Sequence, residues 1–260
     1  MNIKKLCGFT LAFCLIGLQT STVFAETKII NSEYKLLIHG ISLAKMTFRT
    51  EVDGDNYKVS GQIRSSALAD IVGKTRGKTT VVGKIGTNAL QPKRYLMSYT
   101  SGDEKRAFDV VFDKKGSVKK STMTPKAKSP PSDWIGLKSK DLLAVIDPIS
   151  SLTFPSNVSP CSRTVSIYDG ETRVDLKLSP KGGRRFKTKG FKGQAIACNV
   201  RFIPVGGYRS KHDSVVYLTK SKKMEIWFGK NELLNAYFPV YAKIPTRIGD
   251  VRVWATKLGS

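Results

Sequence analysis

From Ser32 onward polar and apolar side chains alternate with a period of two, and this alternation most narrows the folds open to the chain. Tyr34, Leu36 and Ile38 interleave with Glu33, Lys35 and Leu37. After a bend at His39-Gly40, Ala44, Met46 and Phe48 oppose Lys45, Thr47 and Arg49. Side chains of a strand point alternately to opposite faces, so only an extended backbone collects such a pattern onto one buried face. Asp53-Gly54-Asp55 is a tight-turn signature, and Tyr57, Val59, Gly61 and Ile63 repeat the alternation behind it. Three antiparallel strands are therefore predicted to open the chain. Further strands are predicted at 78–85, 90–99, 105–113, 165–167, 174–178, 196–202, 214–218, 224–228, 242–246 and 251–256.

Interruptions to this pattern predict the helices and loops. Leu68, Ile71 and Val72 have helical spacing between a capping Ser65 or Ser66 and a terminating Gly73. Residues 141–145 read as helical. Asp147-Pro148 then reads as the cap and first position of another short helix, with Ile149 and Leu152 inward. Prolines in the stretch 124–133 exclude interior ladder positions and predict a surface loop. Lys181-Gly182-Gly183-Arg184-Arg185 reads as a flexible basic turn.

About a dozen strands in one chain must solve their edge problem, and curling the sheet is the simplest solution. The expectation is all-β: a single strongly curved antiparallel sheet, an open barrel or β-spiral, with two or three short helices plugging its concave face. A two-sheet sandwich is the alternative that strand count leaves open. No shift in composition divides residues 26–260, which are expected to form a single domain.

Residues 1–25 read as a secretory signal peptide. Lys4 and Lys5 precede an apolar run at 6–18, shorter than the ~20 residues a spanning helix needs, and Val23-Phe24-Ala25 precedes the expected cut at Glu26. A retained anchor is a weaker fit because Gln19 to Thr22 end the run. A lipoprotein at Cys14 is weaker still, because Phe13 stands where a lipobox needs Gly or Ala. The expected location is the periplasm, and the expected mature chain is soluble rather than membrane-spanning. Cleavage removes Cys7 and Cys14 and leaves Cys161 and Cys198, 37 positions apart. In an oxidising compartment this pair is most simply a disulfide, worth roughly 4 kcal/mol on the loop-entropy model. Two buried free thiols are the alternative. Zinc needs more ligands than this pair and the distant His39 and His212 supply, so no metal site is expected.

Lys and Arg number 44 against 20 Asp and Glu; without Lys4 and Lys5 the balance is +22. Outside the cytoplasm such a charge meets anionic lipid, lipopolysaccharide and acidic cell-wall polymers, and it also serves simply to keep a surface hydrated. No nucleic-acid-reading motif accompanies it, so no nucleic acid partner is expected. Catalytic and cofactor sites are likewise not expected. The two histidines lack a nucleophile motif; Asp169, Glu171 and Asp175 could supply a carboxylate pair, yet Asp169 and Glu171 flank a turn glycine; and Gly182-Gly183 and Gly206-Gly207 lack a phosphate-loop context. The late aromatics Trp227, Phe228, Tyr237, Phe238 and Tyr241 read as core, or as a rim at a lipid or polymer interface. Lys220, Lys222 and Lys223 ahead of Trp227 are the candidate contacts for an anionic or lipid ligand, and read equally as a hairpin tip facing water.

Several segments carry a resemblance. They are Leu90-Gln91-Pro92-Lys93-Arg94-Tyr95, Asp147-Pro148-Ile149-Ser150-Ser151-Leu152, the run from Gly193 through Cys198 to Arg201, and Pro204-Val205-Gly206-Gly207-Tyr208. With Trp227-Phe228 and Gly249-Asp250-Val251-Arg252 they resemble the bacterial envelope family known as domain of unknown function 3108 (DUF3108), over most of residues 26–260. The chain is remotely similar to periplasmic envelope-integrity proteins built as a spiralling antiparallel sheet. The resemblance implies a curved β architecture and a role in maintaining the envelope, and it carries over no catalytic residue. The combined expectation is a non-enzymatic periplasmic binding or scaffold protein supporting cell-envelope integrity. Its expected partner is an envelope protein, an anionic lipid or an acidic cell-wall polymer. A lipid or lipoprotein carrier and a hydrolase of cell-wall or lipid material are the rivals.

Overall fold

The alternating segments pair in chain order into one continuous ladder. The computed structural model describes residues 26–71, 73–126 and 129–259; the expected signal peptide lies outside the described residues. Antiparallel hairpins join β1 (Lys28–Ile38), β2 (Ile41–Asp53), β3 (Asn56–Ser65), β4 (Thr75–Ile85), β5 (Leu90–Ser101), β6 (Glu104–Phe112) and β7 (Val118–Thr124). The four-residue helix α1 (Ala67–Asp70) lies between β3 and β4, with Ser66 accepting from the Ala69 amide as its cap. Two short strands, β8 (Trp134–Ile135) and β9 (Phe154–Pro155), flank 3-10 turns at Ser139–Leu142 and Ser150–Leu152. The second half comprises β10 (Arg163–Tyr168), β11 (Arg173–Thr188), β12 (Phe191–Gly206), β13 (Tyr208–Arg209), helix α2 (Asp213–Lys220), β14 (Glu225–Asn231), β15 (Ala236–Thr246) and β16 (Gly249–Gly259).

All but β8 and β13 belong to a 14-stranded sheet, ordered β10-β11-β12-β14-β15-β16-β1-β2-β3-β4-β5-β6-β7, with β9 added to β15. The N-terminal strand β1 therefore sits mid-sheet, paired to β2 and to the last strand β16. The sheet curls until β7 and β10 face each other without a ladder between them, an open barrel rather than a two-sheet sandwich. Close approach on the concave face depends on small residues. At Gly61 an added Cβ would fall 2.5 Å from Cε1 of Phe48, so the ring lies directly on the β3 backbone.

A stitched seam joins the two free edges. Val145 N donates to Gly116 O (2.9 Å), Ile146 N to Ser166 O (2.9 Å) and Tyr168 N to Ile146 O (2.9 Å), so one inserted segment bridges the β6–β7 turn and β10. Further along, the Ser121 and Tyr168 hydroxyls meet at 3.0 Å, and Arg106 pairs with Glu171 at 3.2 Å. Gly170, at φ 107, brings the β10–β11 turn against the Phe108 ring, which a Cβ would strike at 2.7 Å. That position needs glycine on both counts.

The hairpin turns fall at two ends. The plug end carries the turns at 54–55, 86–89, 113–117 and 232–235. The helix end carries the turns at 39–40 and 247–248 together with α1 and α2. Cys161 and Cys198 are bonded, with Cα atoms 5.6 Å apart and both buried, which ties the chain after the 150–152 turn to mid-β12. Around this bond pack Phe154, Val165, Ile167, Leu178, Val200, Ile226 and Phe228. A buried structural disulfide belongs to an oxidising compartment, in line with an extracytoplasmic protein. Among the described residues, no helix is long and apolar enough to cross a membrane.

Four expectations are corrected. Residues 214–218 lie in α2, not in a strand. Val215 to Leu218 do not alternate, Asp213 and Lys220 complement the helix dipole, and Leu218 packs on the apolar cluster around the disulfide. The stretch 181–185 is not a turn but part of β11, whose long hairpin with β12 reverses at Lys189-Gly190. There Lys189 O accepts from Leu258 N (2.8 Å), so the hairpin tip docks on β16. The helix expected at 141–145 is a 3-10 turn at Ser139–Leu142, and the one begun by Asp147-Pro148 is a 3-10 turn at Ser150–Leu152.

Candidate functional site

The concave face of a curled sheet must be filled, and the side chains available fill it unevenly. One cluster, around Tyr57, Val81, Tyr95, Val110 and Phe112, packs the β3–β7 side. The disulfide cluster packs the β10–β14 side. Between them an inserted plug, Asp147 to Leu152, enters from the plug end. Asp147 is fully buried; its Oδ1 accepts from the amides of Ile149 and Ser150 (both 2.9 Å), and the Ser150 hydroxyl meets Tyr57 OH at 2.7 Å. Asp147 Oδ2 has no protein partner, and burial pushes the carboxyl's pKa above its ordinary value. Burial also raises the pKa values of the Tyr57 and Tyr95 phenols, with a smaller contribution from the charge of Asp147.

Above the plug a cavity of about 340 Å³ stays unfilled. Its floor is Pro148, Ile149 and Leu152. One wall is Tyr34, Met46, Phe48 and Val59 from β1 to β3, and the other is Leu176, Leu178, Val200, Ile226, Ala242, Ile244 and Val253 from β11, β12 and β14 to β16. The lining is hydrocarbon and aromatic carbon, broken by few polar groups. Ser32 and Thr50 are buried, and burial pushes the Tyr34 phenol up to about 12. Glu225, 7% exposed, pairs with Lys181 and, at 3.8 Å, with Lys243, so its charge is held within the protein. Such a cavity can hold hydrocarbon, and its size lies at the lower end of the ~300–1,000 Å³ typical of small-molecule sites.

The residues weighed for chemistry lie elsewhere. Exposed His39 reaches Ile248 O (2.6 Å), joining the β1–β2 and β15–β16 turns, and exposed His212 precedes α2. Asp169 accepts from the Glu171 and Thr172 amides within its turn, Glu171 pairs with Arg106, and Asp175 pairs with Arg173 (2.8 Å). Among the described residues no three His, Cys, Asp or Glu are grouped to hold a metal.

Lys220, the last residue of α2, and Lys222 and Lys223, in the link to β14, are exposed at the helix end. Trp227 does not join them at the surface. It is half-buried, its ring 4.4 Å from that of Tyr241 and 6.5 Å from that of Phe186, in an aromatic cluster that Phe191 and Trp254 extend. Phe228 and Phe238 are core. The cavity itself was not read from the sequence, because its lining comes from eight strands and the plug. The nearest local signal was the Asp-Pro-Ile-Ser-Ser-Leu segment, inward-facing as expected.

Comparison with known proteins accords with this architecture. The family described as "Protein of unknown function (DUF3108)" matches residues 32–256. A crystal structure of a beta-barrel-like protein of domain of unknown function DUF1849 from Brucella abortus is similar, with a TM-score of 0.51 and 10% identity. The similarity covers 91% of this chain and 98% of that one, and at this identity it speaks for the fold alone. No curated protein matches the chain.

Proposed function

The chain belongs to the DUF3108 family, and from that footing we propose that it is a non-enzymatic periplasmic binding protein whose lumen takes an apolar ligand, an acyl chain or a group of similar cross-section, in support of the cell envelope. The observation that carries this reading is the unfilled cavity of about 340 Å³ above the plug. Protein interiors pack like organic crystals and rarely keep voids larger than a water molecule. The walls of this cavity, mostly hydrocarbon, offer water few partners. Hydrocarbon entering it regains the contacts that the lining side chains forgo. The three titratable groups in the lining are spoken for: burial raises the pKa values of the Tyr34 and Tyr241 phenols and so keeps them protonated, and Glu225 is paired to lysines. Binding without chemistry is what this lining supports. This reading is nearer a carrier than a scaffold.

Ala242 is the place to test it, being small, part-buried and on the cavity wall. Titration of the mature chain with the fluorescent apolar probe N-phenyl-1-naphthylamine should give saturable enhancement that added dodecanoic acid reverses. Ala242→Trp fills the lumen and should abolish the enhancement while leaving the far-ultraviolet circular dichroism spectrum intact. Native mass spectrometry of protein released gently from the periplasm should show a lipid adduct. No probe enhancement in the wild type, or equal enhancement in the Trp variant, would reject the lumen as a binding site.

A further inference from the structure

Short turns at the end of a barrel ordinarily carry polar residues, because they face water on nearly every side. At the helix end the turns at 102–103 and 169–172 follow that rule, whereas the turns at 39–40 and 247–248 and helix α1 carry aliphatic residues. Ile41 is 51% exposed, Leu68 65%, Ile71 82% and Ile248 75%, the four most exposed large hydrophobic residues among those described, apart from Leu143 at 58%. They share one surface. His39 Nε2 contacts Ile248 O at 2.6 Å, joining the β1–β2 and β15–β16 turns, and Ser66 N donates to Leu43 O (2.8 Å), fixing α1 beside the start of β2.

Cations surround this patch. Lys45 and Lys74 flank α1, Arg247 adjoins Ile248, and Lys220 ends α2 with Lys222 and Lys223 just after it; all six are exposed. Of the acids at this end, Asp70 pairs with Arg76 at 2.9 Å, Asp213 with Arg247 at 3.3 Å, Glu104 with Arg106 at 2.6 Å, and Glu225 is buried with its lysines; Asp103 and Asp250, without an ion pair among the described residues, are outnumbered by the lysines around them. Apolar points standing clear of the surface, encircled by unneutralised lysines, match the two layers of an anionic leaflet, in which a phosphate plane overlies acyl carbon.

We propose that the helix end of the barrel is a docking surface for an anionic phospholipid membrane. Ile41, Leu68, Ile71 and Ile248 enter the headgroup–acyl boundary, while the surrounding lysines lie at the phosphates. The surface is distinct from the lumen cavity, but the two share an end. Ile244 of the cavity lining pairs with Val251, next to the turn that presents Ile248, whereas the plug closes the cavity on the opposite side. A barrel seated this way would hold its lumen toward the membrane.

The test is co-flotation of the mature chain with vesicles. Wild type should float with vesicles of mixed phosphatidylglycerol and phosphatidylcholine, should not float with pure phosphatidylcholine, and should be released by high salt. The triple variant Leu68→Ser/Ile71→Ser/Ile248→Ser should bind at least ~10-fold more weakly. Lys220→Gln/Lys222→Gln/Lys223→Gln should lose most of the salt-sensitive part, and Leu233→Ser at the plug end should bind as wild type. Failure of the wild type to float, or equal flotation of the triple Ser variant, would overturn the proposal. So would a wild-type dimer, seen by sedimentation without lipid, that the triple Ser variant abolishes, because the patch would then be covered by a second copy. The naphthylamine titration reads the lumen and flotation reads the rim, so the two proposals can fail separately.

Discussion

The two ends of this barrel solve opposite problems. At the plug end most turns are polar, as in Asp53-Gly54-Asp55 and Asp113-Lys114-Lys115-Gly116, with Leu233 a lone exposed aliphatic among them, and the chain between β7 and β10 folds inward to seal the lumen. At the helix end the turns carry Ile41 and Ile248 into the open, and α1 adds Leu68 and Ile71. One end invests buried polar groups and a disulfide in closure, while the other leaves hydrocarbon unburied. The difference teaches that the sheet alone fixes neither end. Closure depends on the inserted segment and its anchors, so changes there should alter stability, whereas changes at the helix end should alter surface behaviour.

The largest effect is expected at the disulfide, which fastens the chain just after the plug. Cys161→Ser or Cys198→Ser should destabilise the oxidised protein by roughly 4 kcal/mol in urea unfolding, and the difference from wild type should nearly vanish in reductant. Thiol labelling of the native oxidised protein should find no free cysteine; two modified thiols would remove the staple from the comparison.

A smaller, pH-dependent effect is expected at Asp147. Burial raises its pKa above the ordinary 3.8, so the native state holds a proton that the unfolded chain has released. This contribution is therefore full below the ordinary value and is lost as pH rises through the raised one. Asp169 is shifted in the same direction by burial, so wild type and variant must be compared directly. Asp147→Asn keeps an oxygen for the Ile149 and Ser150 amides and removes the titration. Its stability relative to wild type should improve as pH rises above about 4 and level off once pH has passed the raised value. A difference constant across that range would show that the plug carboxyl does not titrate in the native state.

The smallest effect belongs to the helix end. Ile41→Ser/Ile248→Ser should change unfolding free energy by no more than about 0.5 kcal/mol per site, since neither side chain is buried. A loss of several kcal/mol would mean that these residues support the fold, and would erase the contrast between the ends.

How much of this was legible depended on whether the signal was local. Strands β1 to β3 were readable because Tyr34, Met46, Phe48, Tyr57 and Val59 alternate cleanly and turns at His39-Gly40 and Asp53-Gly54 separate them, and β6 because Phe108, Val110 and Phe112 do the same. Strand β7 was not, because Val118-Lys119-Lys120-Ser121-Thr122-Met123-Thr124 is an exposed edge with almost no apolar face. Helix α2 was mistaken for a strand because a short apolar run does not reveal its period. The basic stretch 181–185 looked like a turn because Gly182-Gly183 and its charges imitate one, yet it is the arm of a long hairpin whose Phe186 packs on Trp254. The cavity depends on which distant strands share a concave face, and the apolar rim depends on which three turns meet. Register and closure decide both, and neither is written in any single segment.

The seam has a consequence for girth. In a cylinder closed by a full ladder, strand number and stagger fix the radius, and widening it means breaking backbone pairing along a whole strand. Here the circumference is fastened by a few clasps: the Val145-Ile146 insertion, the Ser121–Tyr168 hydroxyls and the Arg106–Glu171 ion pair. Letting out the outer clasps would widen the vessel while every strand keeps its neighbours, so guests of different thickness could be accommodated without unravelling the wall.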